Sequence, residues 1–397
     1  MRTAPASAAV VLAATTAVQV AVALAVLTLP AIAPAVARDF GVPTSTVGTY
    51  LSLVYVGAAL SALPAGGLVL RAGALRVSQL ALLLCAAGLL LGLVPLLPVA
   101  AAAAVLLGLG YGPVTPASSH VLTQTARASN RNLVFSIKQT GVPAGTALAG
   151  VLVPPLAVAY GWQAAVAVVA GACVLIALLV QPLRRPLDAD RARGARVSLT
   201  ALVDGLRLVG SMPRLRTMAA VSFVYAGMQM CVSGFAVAYL ADELGLPLVT
   251  AGLALTSANA AGIVARIAWG GVADRWLAPR TTLALIGWLM AAASGGAALF
   301  DASWTLAPLL LVCVALGATA IGWNGVYLSE VARLAPAGKA AVATGGCLFF
   351  TFVGVVVCPF LFGWLQRAQG SYAVCYAVGA AVCAAVAALL SRRAALT

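Results

Sequence analysis

RIAWGGVADRW, residues 266–276, places an arginine four residues before a glycine pair and ends beside an acid–base couple, Asp274 and Arg275. GGLVLRAGALR, residues 66–76, carries the same punctuation 204 residues earlier, through Gly66/Gly270, Gly67/Gly271, Arg71/Arg275 and Arg76/Arg280. That offset also aligns ARDFGVPTSTVG (37–48) with ADELGLPLVTAG (241–252), and pairs Thr140/Thr344, Gly141/Gly345, Gly150/Gly354 and Pro155/Pro359. Gly and Pro fix backbone geometry and Arg fixes charge, so their coincidence over this length marks an internal duplication.

The duplicated unit is a membrane unit. The chain has 397 residues, of which 63% are hydrophobic and 8% charged, and its mean hydropathy is +1.07. Apolar runs approach or exceed the ~20 residues that cross a bilayer as a helix. Breaks at charges, Pro and Gly divide them into twelve predicted spans: 8–30, 46–69, 77–97, 99–123, 136–158, 162–181, 215–240, 249–271, 281–300, 304–328, 341–365 and 371–391. A lipid-exposed segment must satisfy its own backbone polar groups, which predicts an all-α membrane protein, and the alternation of a membrane β-barrel is missing. The predicted organisation is a six-helix half at 1–181, a linker at 182–213 and a second six-helix half at 214–397. Six crossings return the chain to the side it started from, so the halves are parallel repeats about an axis along the membrane normal.

The net charge of +14 follows this plan. Arg71, Arg76, Arg127, Arg131, Arg275, Arg280, Arg333, Lys339, Arg392 and Arg393 fall on one side of the twelve-span plan, with the linker arginines 184, 185, 191, 193, 196, 207, 214 and 216. Only Arg38 and Arg367 fall on the other, beside Asp39, Asp242, Glu243 and Asp301. The positive-inside bias puts the termini and linker in the cytoplasm, and the basic charge is a topology signal with no nucleic-acid partner behind it. The apolar core of the first segment is too long for a cleavable leader, so it counts as a span. Eight cysteines, all within spans and without metal-like spacing, are expected as small packing residues, and no metal or cofactor is expected. Abundant Ala and an excess of Arg over Lys point to a bacterial inner membrane.

GGVADR (270–275) resembles the loop motif Gly-x-x-x-Asp-Arg-x-Gly of the major facilitator superfamily, found after spans two and eight. The second copy has Gly270, Asp274 and Arg275, with Leu277 at the late Gly; the first has Gly66, Arg71 and Gly73, with Leu70 in place of the Asp. The resemblance implies the twelve-helix fold of two parallel repeats and alternating access. It also implies a conformational gate at Gly270, Asp274, Arg275 and Arg71 that holds helices together at the cytoplasmic face in one state. KQTGVPAG (138–145) loosely resembles the glycine-rich antiporter signature of span five.

In such a fold, intramembrane polar groups are the candidate ligands. No Asp or Glu falls in the middle of a predicted span, whereas Arg266, Lys138 and His120 fall within spans. An arginine at the bilayer centre costs ~2.5–3.5 kcal/mol on insertion scales, and an anionic substrate supplies the counter-charge. The planar fork of Arg suits a carboxylate; the alternative is that Arg266 snorkels to the nearby cytoplasmic interface or braces the Asp274 lock. Arg-x-x-x-Gly at 266–270 is similar to the monocarboxylate and oxalate–formate transporters, whose span-eight Arg binds the substrate carboxylate. Asn259 lies two turns from Arg266 on the same face. Tyr225 and Gln229 in span seven, Asn324 and Tyr327 in span ten, Gln19 in span one, and Tyr111 and Ser119 in span four complete the candidate set. Lys138 at the start of span five is either a cavity cation or a snorkelling interfacial lysine. His120, the only histidine, is the candidate proton carrier.

The sequence thus predicts a monomeric secondary transporter of a small organic anion, a carboxylate foremost, working by proton symport or anion exchange. The alternative is a drug or metabolite exporter of the same fold. A membrane enzyme is not expected: there is no HExxH, no nucleophile constellation and no nucleotide-binding loop beside a strand.

Overall fold

The structure is a computed structural model that describes residues 7–43, 46–191, 201–301 and 303–394. Arg193 and Arg196, counted above as linker charges, lie outside the described residues. Among those described there is helix and no strand. Eleven helices are long and apolar enough to cross a membrane, and a bent pair makes twelve. The pair is span two, Val47–Ala62 and Ala65–Ala72, which turn by 56° at Leu63–Pro64. Proline lacks the N–H and crowds the preceding turn, which accounts for the break.

The other spans are Ala8–Ala31 (one), Ala74–Leu91 (three), Leu97–Thr125 (four), Ala128–Tyr160 (five) and Trp162–Leu187 (six). They continue with Pro213–Glu243 (seven), Thr250–Arg275 (eight), Pro279–Ala298 (nine), Leu306–Leu334 (ten), Ala340–Gln369 (eleven) and Tyr372–Arg392 (twelve). Most are apolar on every face, as helices buried in lipid and protein require. Span five starts eight residues before its predicted beginning.

Helix pairing repeats along the chain. Span two packs on span four as eight packs on ten, and three packs on six as nine packs on twelve. Small residues allow the approach: a Cβ on Gly145 of span five would collide with the Val20 carbonyl of span one, and one on Gly354 of span eleven with the Phe223 carbonyl of span seven.

The chain forms two compact units, one of 1–126, 138–215 and 331–349, the other of 127–137, 216–330 and 350–397. Each includes one segment from the other sequence half. In the first unit, a Cβ on Gly66 at the end of span two would lie 2.6 Å from Val342 Cα at the start of span eleven. The linker helix Ala201–Ser211 packs there too, with Gly205 backbone to backbone against Gly346. In the second unit, a Cβ on Gly270 of span eight would lie 2.5 Å from Ser136 Oγ of span five.

Candidate functional site

Lys138 is 1% exposed. It stands ten residues beyond Ala128, where the helix of span five begins, or ~15 Å of helix rise, and its ammonium turns inward to other spans. Its Nζ donates to Gln19 Oε1 at 2.7 Å, Gln139 Oε1 at 3.1 Å and Thr115 Oγ1 at 3.4 Å. Thr115 in turn donates to Gln19 Oε1 at 3.2 Å. Spans one, four and five thus join around one ammonium group held by neutral oxygens, and no described carboxylate lies within 4.0 Å of it. Gln139 was absent from the candidates, although its place beside Lys138 could have suggested it.

Arg266 is also 1% exposed. Its Nε donates to the Ile321 carbonyl at 2.8 Å, and Trp269 Nε1, one turn on, donates to the Ala318 carbonyl at 3.0 Å. Both acceptors lie in Gly317–Ile321, a π-helical turn in span ten. A π-turn disturbs the i→i−4 ladder and turns carbonyls toward other donors, and such turns recur at functional sites. Sequence periodicity gave no sign of it. Asn259, two turns away, is exposed, and its amide donates to the Leu255 carbonyl of its own helix at 2.9 Å.

The remaining candidates separate. Asn324 Nδ2 donates to Gln229 Oε1 at 3.2 Å, so spans ten and seven bring these half-buried amides together. Tyr225 is fully buried, its hydroxyl donating to the Leu283 carbonyl of span nine at 2.8 Å. Through that bond the hydroxyl braces two helices. Tyr327 is buried with its ring 5.1 Å from Trp323. Tyr111 is half-buried against Tyr55, and Ser119 is buried, its Oγ without a hydrogen-bond partner.

His120 does not join the Lys138 group. Its Nε2 lies 2.6 Å from Asp190 Oδ2, and Gln124 donates to the same oxygen at 2.8 Å. The imidazole thus anchors the start of the linker, because span four turns it toward that segment. Burial pushes the Asp190 carboxyl up, but hydrogen bonds from Gln124 and His120 outweigh it and hold the group below its ordinary value. Two residues earlier, Asp188 accepts the amides of Leu75 at 2.8 Å and Arg76 at 3.1 Å, capping span three. Gly73, at φ 96°, leaves the room: a Cβ there would meet the Asp188 carboxyl carbon at 2.1 Å.

At the loop motif, Asp274 accepts the Asn132 amide at 3.1 Å, the Asn132 side chain at 2.8 Å and the Leu133 amide at 2.8 Å. Asn132 and Leu133 open the helix Arg131–Gln139, whose first amides have no helical partner. A carboxylate there satisfies them and complements the helix dipole. Arg275 is exposed and forms no ion pair within 4.0 Å among the described residues. Arg71 is exposed as well. In the first copy, Leu70 lines a cleft with Asp204, Arg207, Lys339 and Val342.

The family profile described as Major Facilitator Superfamily matches residues 12–359. None of the curated proteins matches the chain in sequence. Among solved structures, the E. coli fucose:proton symporter FucP is similar at a TM-score of 0.78 and 18% identity, over 98% of this chain and 99% of that one. The human organic anion transporter MFSD10 (TETRAN) is similar at 0.77 and 15%, over 97% and 100%. The proton:xylose symporter XylE is similar at 0.70 and 14%, over 97% and 95%. At these identities the likeness is one of fold.

Proposed function

The chain belongs to the major facilitator superfamily, and on that premise, which makes it a multi-pass membrane transporter and not an enzyme, we propose that it carries a small organic anion by alternating access. The observation that carries this reading is Lys138, an ammonium group buried in a span with only neutral oxygens of Gln19, Gln139 and Thr115 around it. A buried charge without a counter-charge is costly, and a negatively charged substrate offsets that cost when it binds. Lys138 is the counter-charge, and Gln19 and Thr115 orient it. Arg266 is the second candidate cation, with its Nε bond to Ile321 fixing the plane of the fork.

Carboxylates are the substrate class these groups suit best, since an Arg fork matches a two-oxygen anion and a Lys ammonium supplies a point charge for one. Either proton symport or anion exchange is compatible with the reading. A symported proton travels on the substrate carboxylate in this scheme, because His120 is engaged with Asp190. The Asp274 cap and the Gly66–Val342 approach are the contacts that break when the carrier changes state, with the linker on the cytoplasmic side of a bacterial inner membrane. The exporter alternative drew on the glycines of span five, and these have a packing role: Gly141 and Gly145 lie against span one.

The test is flux into proteoliposomes of radiolabelled mono- and dicarboxylates, with Lys138→Gln beside wild type. Carboxylate uptake that falls at least tenfold in the variant supports the reading. Uptake of a cation or neutral sugar that is indifferent to Lys138 removes it.

A further inference from the structure

Where span six runs into the linker, Gln181, Pro182, Arg184, Arg185, Asp188 and Arg191 surround an open cleft of about 910 Å³. Three guanidinium groups share it with a single carboxylate, and that carboxylate is committed elsewhere, to the amides of Leu75 and Arg76. Arg184 Nε stands 3.8 Å from Asp188 Oδ2, beyond hydrogen-bond reach, and is buried without a hydrogen-bond partner. The next acid, Asp190, is held by His120 and Gln124. Neither Arg185 nor Arg191 has an ion pair within 4.0 Å among the described residues. Burial also pushes the Asp188 carboxyl up, against the pull of its two amide bonds and of Arg184 and Arg191, which weakens it further as a counter-charge.

The cleft is therefore a cationic cavity with guanidinium groups in excess of free carboxylate, and planar guanidinium forks match a phosphate. Its position decides which phosphate. Span six ends at Leu187, so the cleft lies at the end of a long apolar helix. The turns of span six just before it expose Leu175, Leu178 and Leu179 at 55%, 65% and 67%. A basic pocket continuous with an exposed apolar helix face is complementary to an amphiphile, and basic pockets at helix ends bind anionic head groups.

We propose that the Arg184–Arg185–Arg191 cleft binds the phosphate of an anionic phospholipid, whose acyl chains lie along Leu175, Leu178 and Leu179. The site is separate from the Lys138 group and does not depend on what the protein transports. Native mass spectrometry of the full-length protein, with phosphatidylglycerol or phosphatidylcholine added to the detergent, tests it. Wild type is expected to retain phosphatidylglycerol preferentially. Arg185→Gln with Arg191→Gln, which leaves the Arg184–Asp188 contact intact, is expected to lose roughly fivefold in retention per arginine, and the Lys versions at both positions to lose less. Equal retention of the two lipids, or phosphatidylglycerol retention unchanged in the Gln pair, overturns the proposal. Thermal stabilisation by inorganic phosphate equal to that by phosphatidylglycerol, and lost in the Gln pair, assigns the cleft to a free phosphate and overturns the lipid assignment.

Discussion

Lys138 of span five donates to Gln19 of span one at 2.7 Å, in a position where no described carboxylate lies within 4.0 Å of the ammonium. If this group awaits an anion, an anion supplied by mutation should occupy it. Gln19→Glu is expected to form an internal ion pair, to raise the melting temperature of the purified protein, and to weaken carboxylate binding at least tenfold, or about 1.4 kcal/mol. Isothermal titration with wild type, Gln19→Glu and Lys138→Gln checks this. Unaltered affinity in Gln19→Glu would show that the substrate does not use Lys138.

Arg266 tests shape beside charge. Arg266→Lys keeps the positive charge but loses both the planar fork and the bond to Ile321, a charge-assisted hydrogen bond of the kind worth ~1.5–3 kcal/mol. Transport is expected to fall at least tenfold, and the melting temperature to drop. Trp269→Phe removes the neighbouring bond to Ala318, and is expected to lower stability by ~0.5–1.5 kcal/mol with little change in substrate affinity. Equal losses of affinity in the two variants would make Arg266 a brace alone.

The Asp274 cap predicts slow hydrogen exchange at the Asn132 and Leu133 amides, the two it receives. Asp274→Ala should accelerate exchange there roughly tenfold or more, whereas Asp274→Asn, which can still accept one amide, should have a smaller effect. Arg275→Gln should leave these amides as they are, since Arg275 is exposed and unpaired among the described residues. Loosening by Arg275→Gln equal to that by Asp274→Ala would return Arg275 to the lock.

The linker anchor predicts a pH dependence. Burial opposes the hydrogen bonds that Asp190 receives, and the bonds win, so its carboxyl titrates below the ordinary Asp value of ~3.9. A depressed folded value means that the contribution to stability is complete above the ordinary value and is lost as pH falls through the depressed one. Wild type should therefore melt above Asp190→Asn at pH 6, and the difference should shrink as pH falls below the ordinary Asp value. Asp188, whose carboxyl shifts the other way, is common to both proteins and cancels. A difference that stays constant as the solution is acidified through that range and below it would contradict the anchor.

The twelve helices and the duplication were legible because they are written in composition and in the spacing of Gly, Pro and Arg, which act locally. What escaped was set by distant partners. Span five starts early because its first amides are capped by Asp274, 142 residues away in the chain, and no local pattern at 128–136 announces that. Lys138 is buried because spans one and four close over it. The polar stripe of span seven divided for the same reason: Tyr225 found a carbonyl on span nine, while Gln229 found Asn324. Likewise His120 took a linker carboxylate that its own helix could not foretell. A helical polar stripe states that partners exist, and tertiary packing chooses them.

The most direct measurement is thermal stabilisation of the purified protein by a panel of carboxylates, inorganic anions and cationic drugs, run on wild type, Lys138→Gln and Arg266→Gln. A ligand that binds only the folded state raises apparent stability. The account predicts a shift with one class of carboxylate that disappears in Lys138→Gln. A shift with cations, or a carboxylate shift that survives the loss of Lys138, would contradict it.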